Sequence, residues 1–266
     1  PSKIRYSEFL QDTTNNRLQW HDEIKTSSNR NGLSALPDVT QLNTTLANQT
    51  YQAIHNNRYC VTLGGDHSCA IGTWSGVSTA LYEEQKTLGL IWIDAHLDSH
   101  TPSSSLTGNI HGMPLAALLG HGHSELTELH SPHTKIAPEN LTIIGARSYE
   151  EGELQLLQDL NVKIYMMDDI DKDSLNRILQ KEIDRISQTT DYFGISIDID
   201  AVDIDEAPGV STGVAGGISA SELLQSLSGI ANHPQLIATE ITEFLPAKDD
   251  KDKTTERLAV DLLSVF

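Results

Sequence analysis

Asp94-Ala95-His96-Leu97-Asp98 sets two carboxylates and an imidazole at alternate positions directly after an apolar run. If the extended backbone continues through it, a side-chain period of two sends Asp94, His96 and Asp98 to one side and Ala95 and Leu97 to the other. Asp198-Ile199-Asp200 repeats the device after a second apolar run, and His67 follows a third through Gly64-Gly65-Asp66. Like charges gathered at the end of a desolvated strand repel and lose hydration unless something positive sits between them. A divalent cation meets that need. Taken alone, an Asp-x-Asp pair is explained as well by a turn or a helix cap. A single histidine after a glycine turn is more often a hydrogen-bonded loop residue. Four acids and two histidines at the ends of three separate strands shift the balance to a metal site. Oxygen-rich ligands with two imidazoles and no thiolate favour Mn²⁺, Fe²⁺ or Co²⁺ over structural zinc. Six such ligands carry too much negative charge for one ion. With Asp94 and Asp198 bridging, they could hold two ions about 3.5–4 Å apart, the spacing that makes hydroxide from water at neutral pH. That is hydrolase chemistry.

Each motif needs a strand to present it. Residues 59–63, Leu88–Ile93 and residues 192–197 are apolar runs with the length and β-branched or aromatic content of buried strands. Residues 141–144, running into Gly145-Ala146-Arg147, predict a fourth strand. Residues 236–238, running toward Glu240 and Glu243, predict a fifth. Leu175, Ile178, Leu179, Ile183 and Ile186 recur at steps of three and four and predict a helix, with Asp171 and Asp173 at its start. Ser219-Ala220-Ser221-Glu222 has capping-box spacing ahead of Leu223, Leu224, Leu227 and Ile230, and Leu258, Leu262 and Phe266 predict a closing helix. Strands alternating with helices imply an α/β fold whose parallel sheet is covered on both faces. Functional groups then collect at the carboxyl ends of the strands. No repeat or Pro/Ser linker divides residues 1–266, so one domain is expected.

Composition narrows the partners. Eighteen Lys and Arg against 37 Asp and Glu leave a formal charge of −19, which would repel nucleic acid and anionic membranes alike. Two cysteines, Cys60 and Cys69, with no long apolar span and no leader in the sequence, point to a reducing, cytoplasmic setting. The sequence starts at Pro1 without an initiator methionine. The run Lys248-Asp249-Asp250-Lys251-Asp252-Lys253 alternates in sign and reads as a solvated loop. His121, His123, His130 and His133 read as surface histidines.

Gly64-Gly65-Asp66-His67-Ser68, Asp94-Ala95-His96-Leu97-Asp98 and Ser196-Ile197-Asp198-Ile199-Asp200-Ala201-Val202-Asp203 resemble, in order and spacing, the three metal-binding motifs of the ureohydrolases, the family of arginase, agmatinase and formimidoylglutamase. The resemblance runs from about residue 1 to the C-terminus. It implies a three-layer α/β/α sandwich with a mainly parallel sheet, assembled as a trimer or hexamer. It also implies two Mn²⁺ ions, one held by His67, Asp94, Asp98 and Asp198 and the other by Asp94, His96, Asp198 and Asp200. Thr107-Gly108-Asn109-Ile110-His111-Gly112 looks like the arginase stretch whose hydroxyl and amide contact the substrate α-carboxylate and whose histidine shuttles protons. The segment Gly145 to Glu153 is similar to the one that supplies acids for the α-amino group, here Glu150 and Glu153. Thr242-Glu243-Phe244-Leu245-Pro246 resembles the segment whose glutamate binds the guanidinium, which selects Glu243 over Glu240.

The resemblance places His100 and Thr212 among the substrate-binding residues too. His100 stands where arginases commonly have asparagine, and Glu150 where they usually have aspartate. Residues Ala207-Pro208-Gly209-Val210-Ser211 read somewhat like formimidoylglutamase. Pro1-Ser2-Lys3-Ile4-Arg5 resembles the end of a segment that normally follows the family's first strand, so that strand is expected to be missing from this sequence. The implied activity is hydrolysis of L-arginine to L-ornithine and urea, with Asp98 orienting hydroxide, Glu243 holding the guanidinium and His111 protonating the leaving amine. The alternatives are a ureohydrolase acting on formimidoylglutamate, agmatine or another guanidino acid, or a non-catalytic arginase-like metal-binding subunit. A degenerate subunit has no reason to keep six mutually repelling ligands.

Overall fold

A computed structural model describes residues 1–10, 17–26 and 30–266. Six strands, β1 (Cys60–Leu63), β2 (Leu88–Ile93), β3 (Leu141–Ala146), β4 (Lys163–Met166), β5 (Tyr192–Asp198) and β6 (Leu236–Thr242), form one sheet in the order β1-β6-β5-β2-β3-β4. Every adjoining pair is parallel. Alternation along the strands sorts the core into two layers. Leu88, Leu90 and Trp92 of β2 pack with the helices Ala70–Glu83, Pro114–Leu118 and Glu151–Asp159. Ile91 and Ile93 pack with Leu175–Thr189, Ala220–Ser228 and Thr254–Val265 on the opposite face. The result is the expected α/β/α sandwich.

Chain order reverses between β5 and β2 at the centre of the sheet, which is where open α/β folds gather ligands beyond the strand ends. One close approach there depends on glycine. A Cβ at Gly194 in β5 would lie 2.1 Å from the Trp74 ring, so glycine lets that indole lie flat on the sheet and reach across to β6. The helix Leu36–His55 packs chiefly against Ala70–Glu83 and only marginally against β1. A Cβ at Gly76 would come within 2.1 Å of Thr50 Oγ1 and 2.2 Å of the Ala47 carbonyl, so small residues set that spacing.

Several local expectations change. The amide of Leu175 is capped by Glu222 Oε1 at 2.9 Å, while Asp171 and Asp173 belong to the preceding short helix Met167–Asp173. Ser219 Oγ does accept the Glu222 amide at 3.2 Å, but the glutamate leaves its own helix to cap the neighbour. In the alternating charged run, Asp249 accepts the amides of Thr255 and Glu256 and so starts the last helix. None of the four histidines read as surface residues is fully exposed. His133 is bonded to Ser78 and Ser131 and stacked on Tyr82. No described helix is long and apolar enough to cross a membrane.

Candidate active site and metal centre

The six proposed ligands converge at the carboxyl ends of β1, β5 and β2. The Asp94 to Asp98 stretch does so by a turn and not by strand alternation: β2 stops at Ile93, and Asp94 Oδ1 accepts the His96 amide at 2.7 Å. Asp98 completes the reversal with a left-handed φ of 44°. Asp198 ends β5 and its Oδ1 accepts the Asp200 amide at 2.7 Å, so the second motif uses the same side-chain turn. His67 sits in a short 3-10 turn opened by Asp66. Gly64 is needed before it, because a Cβ would lie 2.4 Å from Cys69 Sγ and 2.8 Å from the Thr242 methyl.

His67 Nδ1 lies 3.1 Å from each of Asp94 Oδ2, Asp98 Oδ2 and Asp198 Oδ2, with a hydrogen bond to none of them. His67, Asp94 and Asp98 form one cluster of potential ligand atoms. Asp94, His96 and Asp200 form another, with His96 Nδ1 3.2 Å from Asp200 Oδ2. Asp94 is common to both. Burial and Asp94 push Asp98 up to about 7, and burial with Asp200 and Asp94 pushes Asp198 well above the usual carboxylate range. Burial opposes protonation of His96, but Asp200 and Asp94 outweigh it and carry the ring to about 12. Without a cation these groups must share protons; a divalent ion relieves the same repulsion.

The donor set fits such an ion in a second respect. His67 Nε2 lies 3.0 Å from Ser196 Oγ, and Ser196 donates to Glu240 Oε2 at 2.8 Å. That order leaves the proton on Nε2 and aims the Nδ1 lone pair at the carboxylates. Glu240 is fully buried and also accepts from Thr73 Oγ1 at 2.6 Å and Trp74 Nε1 at 3.2 Å. Trp92 donates to Asp94 Oδ2 at 2.9 Å and stacks on His67 with centroids 4.0 Å apart. Sequence reasoning passed over Glu240. A carboxylate facing inward from the middle of a buried strand was the signal for it.

Glu243 follows β6 at φ 66°, buried, with Oε1 accepting the His67 amide at 2.8 Å. His111 Nδ1 lies 3.7 Å from the same oxygen, and Glu243 raises the His111 pKa above its ordinary value. Thr107 and Asn109 are exposed, on a loop where Thr107 Oγ1 accepts the Asn109 amide at 3.2 Å. Glu153 is engaged internally. Its carboxylate caps the helix Glu151–Asp159 through the Glu150 amide at 2.9 Å, accepts the Ser99 amide at 3.3 Å and faces His100 Nε2 at 3.3 Å. Glu150 is half-exposed and 3.6 Å from His100. Thr212 donates to Asp200 Oδ2 at 3.0 Å, so it touches a metal-site carboxylate directly.

The Arginase family model matches residues 1–266. An arginase of Brevibacillus brevis is 41% identical over 229 residues, covering 86% of this chain and 75% of the relative. The crystal structure of arginase from Bacillus subtilis is 37% identical with a TM-score of 0.90, covering all of this chain and 90% of that one. Formimidoylglutamase from Bacillus subtilis is more distant, 25% identical with a TM-score of 0.72 over 85% of this chain and 66% of that one. With the ligand clusters at the expected strand ends, the chain belongs to the arginase family.

Proposed function

We propose that the protein hydrolyses L-arginine to L-ornithine and urea. The observation that carries this reading is the arrangement at the sheet's centre: two histidine–aspartate clusters sharing Asp94, with Glu243 and His111 side by side at their edge. Two divalent cations, manganese by preference, bound to His67, Asp94, Asp98 and Asp198 and to Asp94, His96, Asp198 and Asp200, would supply hydroxide from water near neutral pH. Asp98 orients the attacking oxygen through a hydrogen bond. Glu243 has Oε1 fixed by the His67 amide and offers Oε2 to the guanidinium. Attack at the guanidinium carbon expels an amine only if its nitrogen is protonated, and His111 provides that proton. Thr107 and Asn109 meet the α-carboxylate, and Glu150 meets the α-ammonium, with His100 and Glu153 behind it.

The same reading includes a homo-oligomer, trimer or hexamer, and a cytoplasmic setting; the family resemblance supports both. The test is product formation from arginine, agmatine and formimidoylglutamate at equal concentration with added Mn²⁺. Urea and ornithine from arginine should lead. Formamide outpacing urea would reassign the substrate while leaving a dinuclear hydrolase.

A further inference from the structure

Arg147 follows β3 and has no part in the steps above, yet it touches both halves of one ligand cluster. Its backbone amide donates to the Ala95 carbonyl at 2.9 Å, between Asp94 and His96. Its guanidinium donates to five carbonyls: Gly145 at 3.3 Å, Asp200 at 2.9 Å, Ala201 at 3.2 Å, Val202 at 3.4 Å and Val214 at 2.8 Å. All five bonds come from the two Nη groups. The chain is shaped for this contact at two other points. Gly145 has φ +101°, and the β3–β4 register shifts between Ile144 and Ala146, which breaks the regular strand just before Arg147. A Cβ at Gly217 would lie 2.6 Å from Arg147 Nη2, so glycine leaves room for the guanidinium.

The guanidinium is half-buried and donates to no carboxylate; burial lowers its pKa from the ordinary value, while Asp200, Asp203, Asp94 and Asp198 lie near enough to oppose that shift. A cation that spends its donors on carbonyls fixes backbone and lends its field to the acids. Apart from Gly145, its near neighbour in the chain, the carbonyls it gathers belong to two segments. One carries Asp200. The other, through Val214, lies just past Thr212, whose hydroxyl bonds Asp200 Oδ2. His67 and Asp98 receive nothing from it.

We infer that Arg147 is a positioning residue that clamps Asp94, His96 and Asp200 into register across β2, β3 and β5, and so sets the affinity of that metal position far more than of the His67 position, with which it shares Asp94. The inference rests on the reading of the site as a two-ion centre. Removing an outer hydrogen-bonding partner of a metal site typically weakens binding by about 10–100-fold. The experiment is manganese titration of metal-free wild type, Arg147→Met and Arg147→Lys, followed by calorimetry and by electron paramagnetic resonance.

Wild type should take up two ions and develop the signal of a coupled pair. Arg147→Met should keep one ion within a few-fold of wild-type affinity, lose about 10–100-fold at the other, and show the six-line signal of isolated Mn²⁺ at intermediate loading. Arg147→Lys keeps the charge with fewer donors and should fall between them; it carries the test alone if the methionine variant does not fold. In metal-free protein, amide exchange over residues 199–217 should rise about tenfold in Arg147→Met, the loss of roughly one charge-assisted hydrogen bond. Two ions bound by the variants as tightly as by wild type, or both weakened equally, would overturn the clamp. A wild type that binds no manganese would overturn the two-ion reading instead, and the exchange measurement would still decide whether Arg147 holds the segment.

Discussion

The two halves of the cleft are built differently. At the metal end three of the six proposed ligands have a side-chain partner outside the ligand set, Asp94 in Trp92, His67 in Ser196 and Asp200 in Thr212, and the carboxylates are almost wholly buried. At the rim, Thr107 and Asn109 stand exposed on a loop beside Leu106, which is 87% exposed, and the loop's own bonds are short-range. On the proposed reading, the chemistry is fixed by the sheet, while recognition would fall to an exposed segment whose sequence can change without disturbing the core. Substitutions at the two ends should accordingly fail in different ways: metal-end changes in metal content and turnover, rim changes in substrate preference.

The largest effect should come from the shared ligand. Asp94→Asn removes a charge both clusters use and should cut turnover about 10³-fold or more, since a lost Lewis acid forfeits several kcal/mol. Elemental analysis should show both ions depleted, whereas His67→Ala should deplete mainly one. Full metal content with full activity in Asp94→Asn would break the contrast at its stronger end. Next is His111, at the seam between the halves. His111→Ala should lower turnover by about 10²-fold or more with both ions retained, the usual contribution of a positioned proton donor. Loss of metal in that variant would move His111 to the ligand set.

The rim should show a smaller effect, read as selectivity. Agmatine lacks the α-carboxylate and leaves the Thr107 and Asn109 donors without an anion. Arginine should lead it by about tenfold or more in kcat/KM, the worth of one charge-assisted hydrogen bond. A Thr107→Val, Asn109→Ala double variant should narrow that ratio without changing metal content. An unchanged ratio would mean that the loop does not read the carboxylate.

The same contrast explains what was legible in the sequence. Asp94, Asp98, Asp198 and Asp200 announce themselves because unpaired acids after apolar runs are costly unless paired or metal-bound, and their strands are continuous enough to recognise. The way they converge was not legible. A period of two suggested a strand, but the side chains of Asp94 and Asp198 fold the backbone into turns instead. β4 was missed because Lys163-Ile164-Tyr165-Met166 is a four-residue edge strand running straight into a helix. The helix Leu36–His55 was missed because its buried positions include Asn43 and Thr50, polar residues satisfied by the Gly72 amide and by nearby carbonyls. Periodicity of apolar residues does not register a face built that way. Arg147 and Glu240 act on their surroundings through hydrogen bonds to distant segments, and spacing along the chain carries no trace of those partners.

The smallest effect lies outside the cleft, and it tests whether tight holding is special to the metal end. His133 Nε2 lies 2.9 Å from Ser78 Oγ, whose own proton goes to the Lys135 carbonyl at 2.9 Å, so the ring must carry its proton on Nε2. Nδ1 then accepts from Ser131 at 2.7 Å. Beside it, the buried Lys135 ammonium donates to the carbonyls of Thr127, Ser131 and His133. Burial, then the Lys135 charge, lower His133 to about 4, against an ordinary value near 6.5. The unfolded chain therefore binds the proton more tightly than the folded one. The contribution is complete above about 6.5 and is lost as pH falls toward about 4. Because the ring is only partly buried, solvent screening leaves about 1 kcal/mol or less. His133→Gln removes the titration, so the gap in urea-unfolding stability between wild type and variant should shrink between pH 7.5 and pH 4.5. A gap that stays constant over that range would show that the loop does not discriminate between the neutral and charged ring, and would confine tightly held polar groups to the metal end.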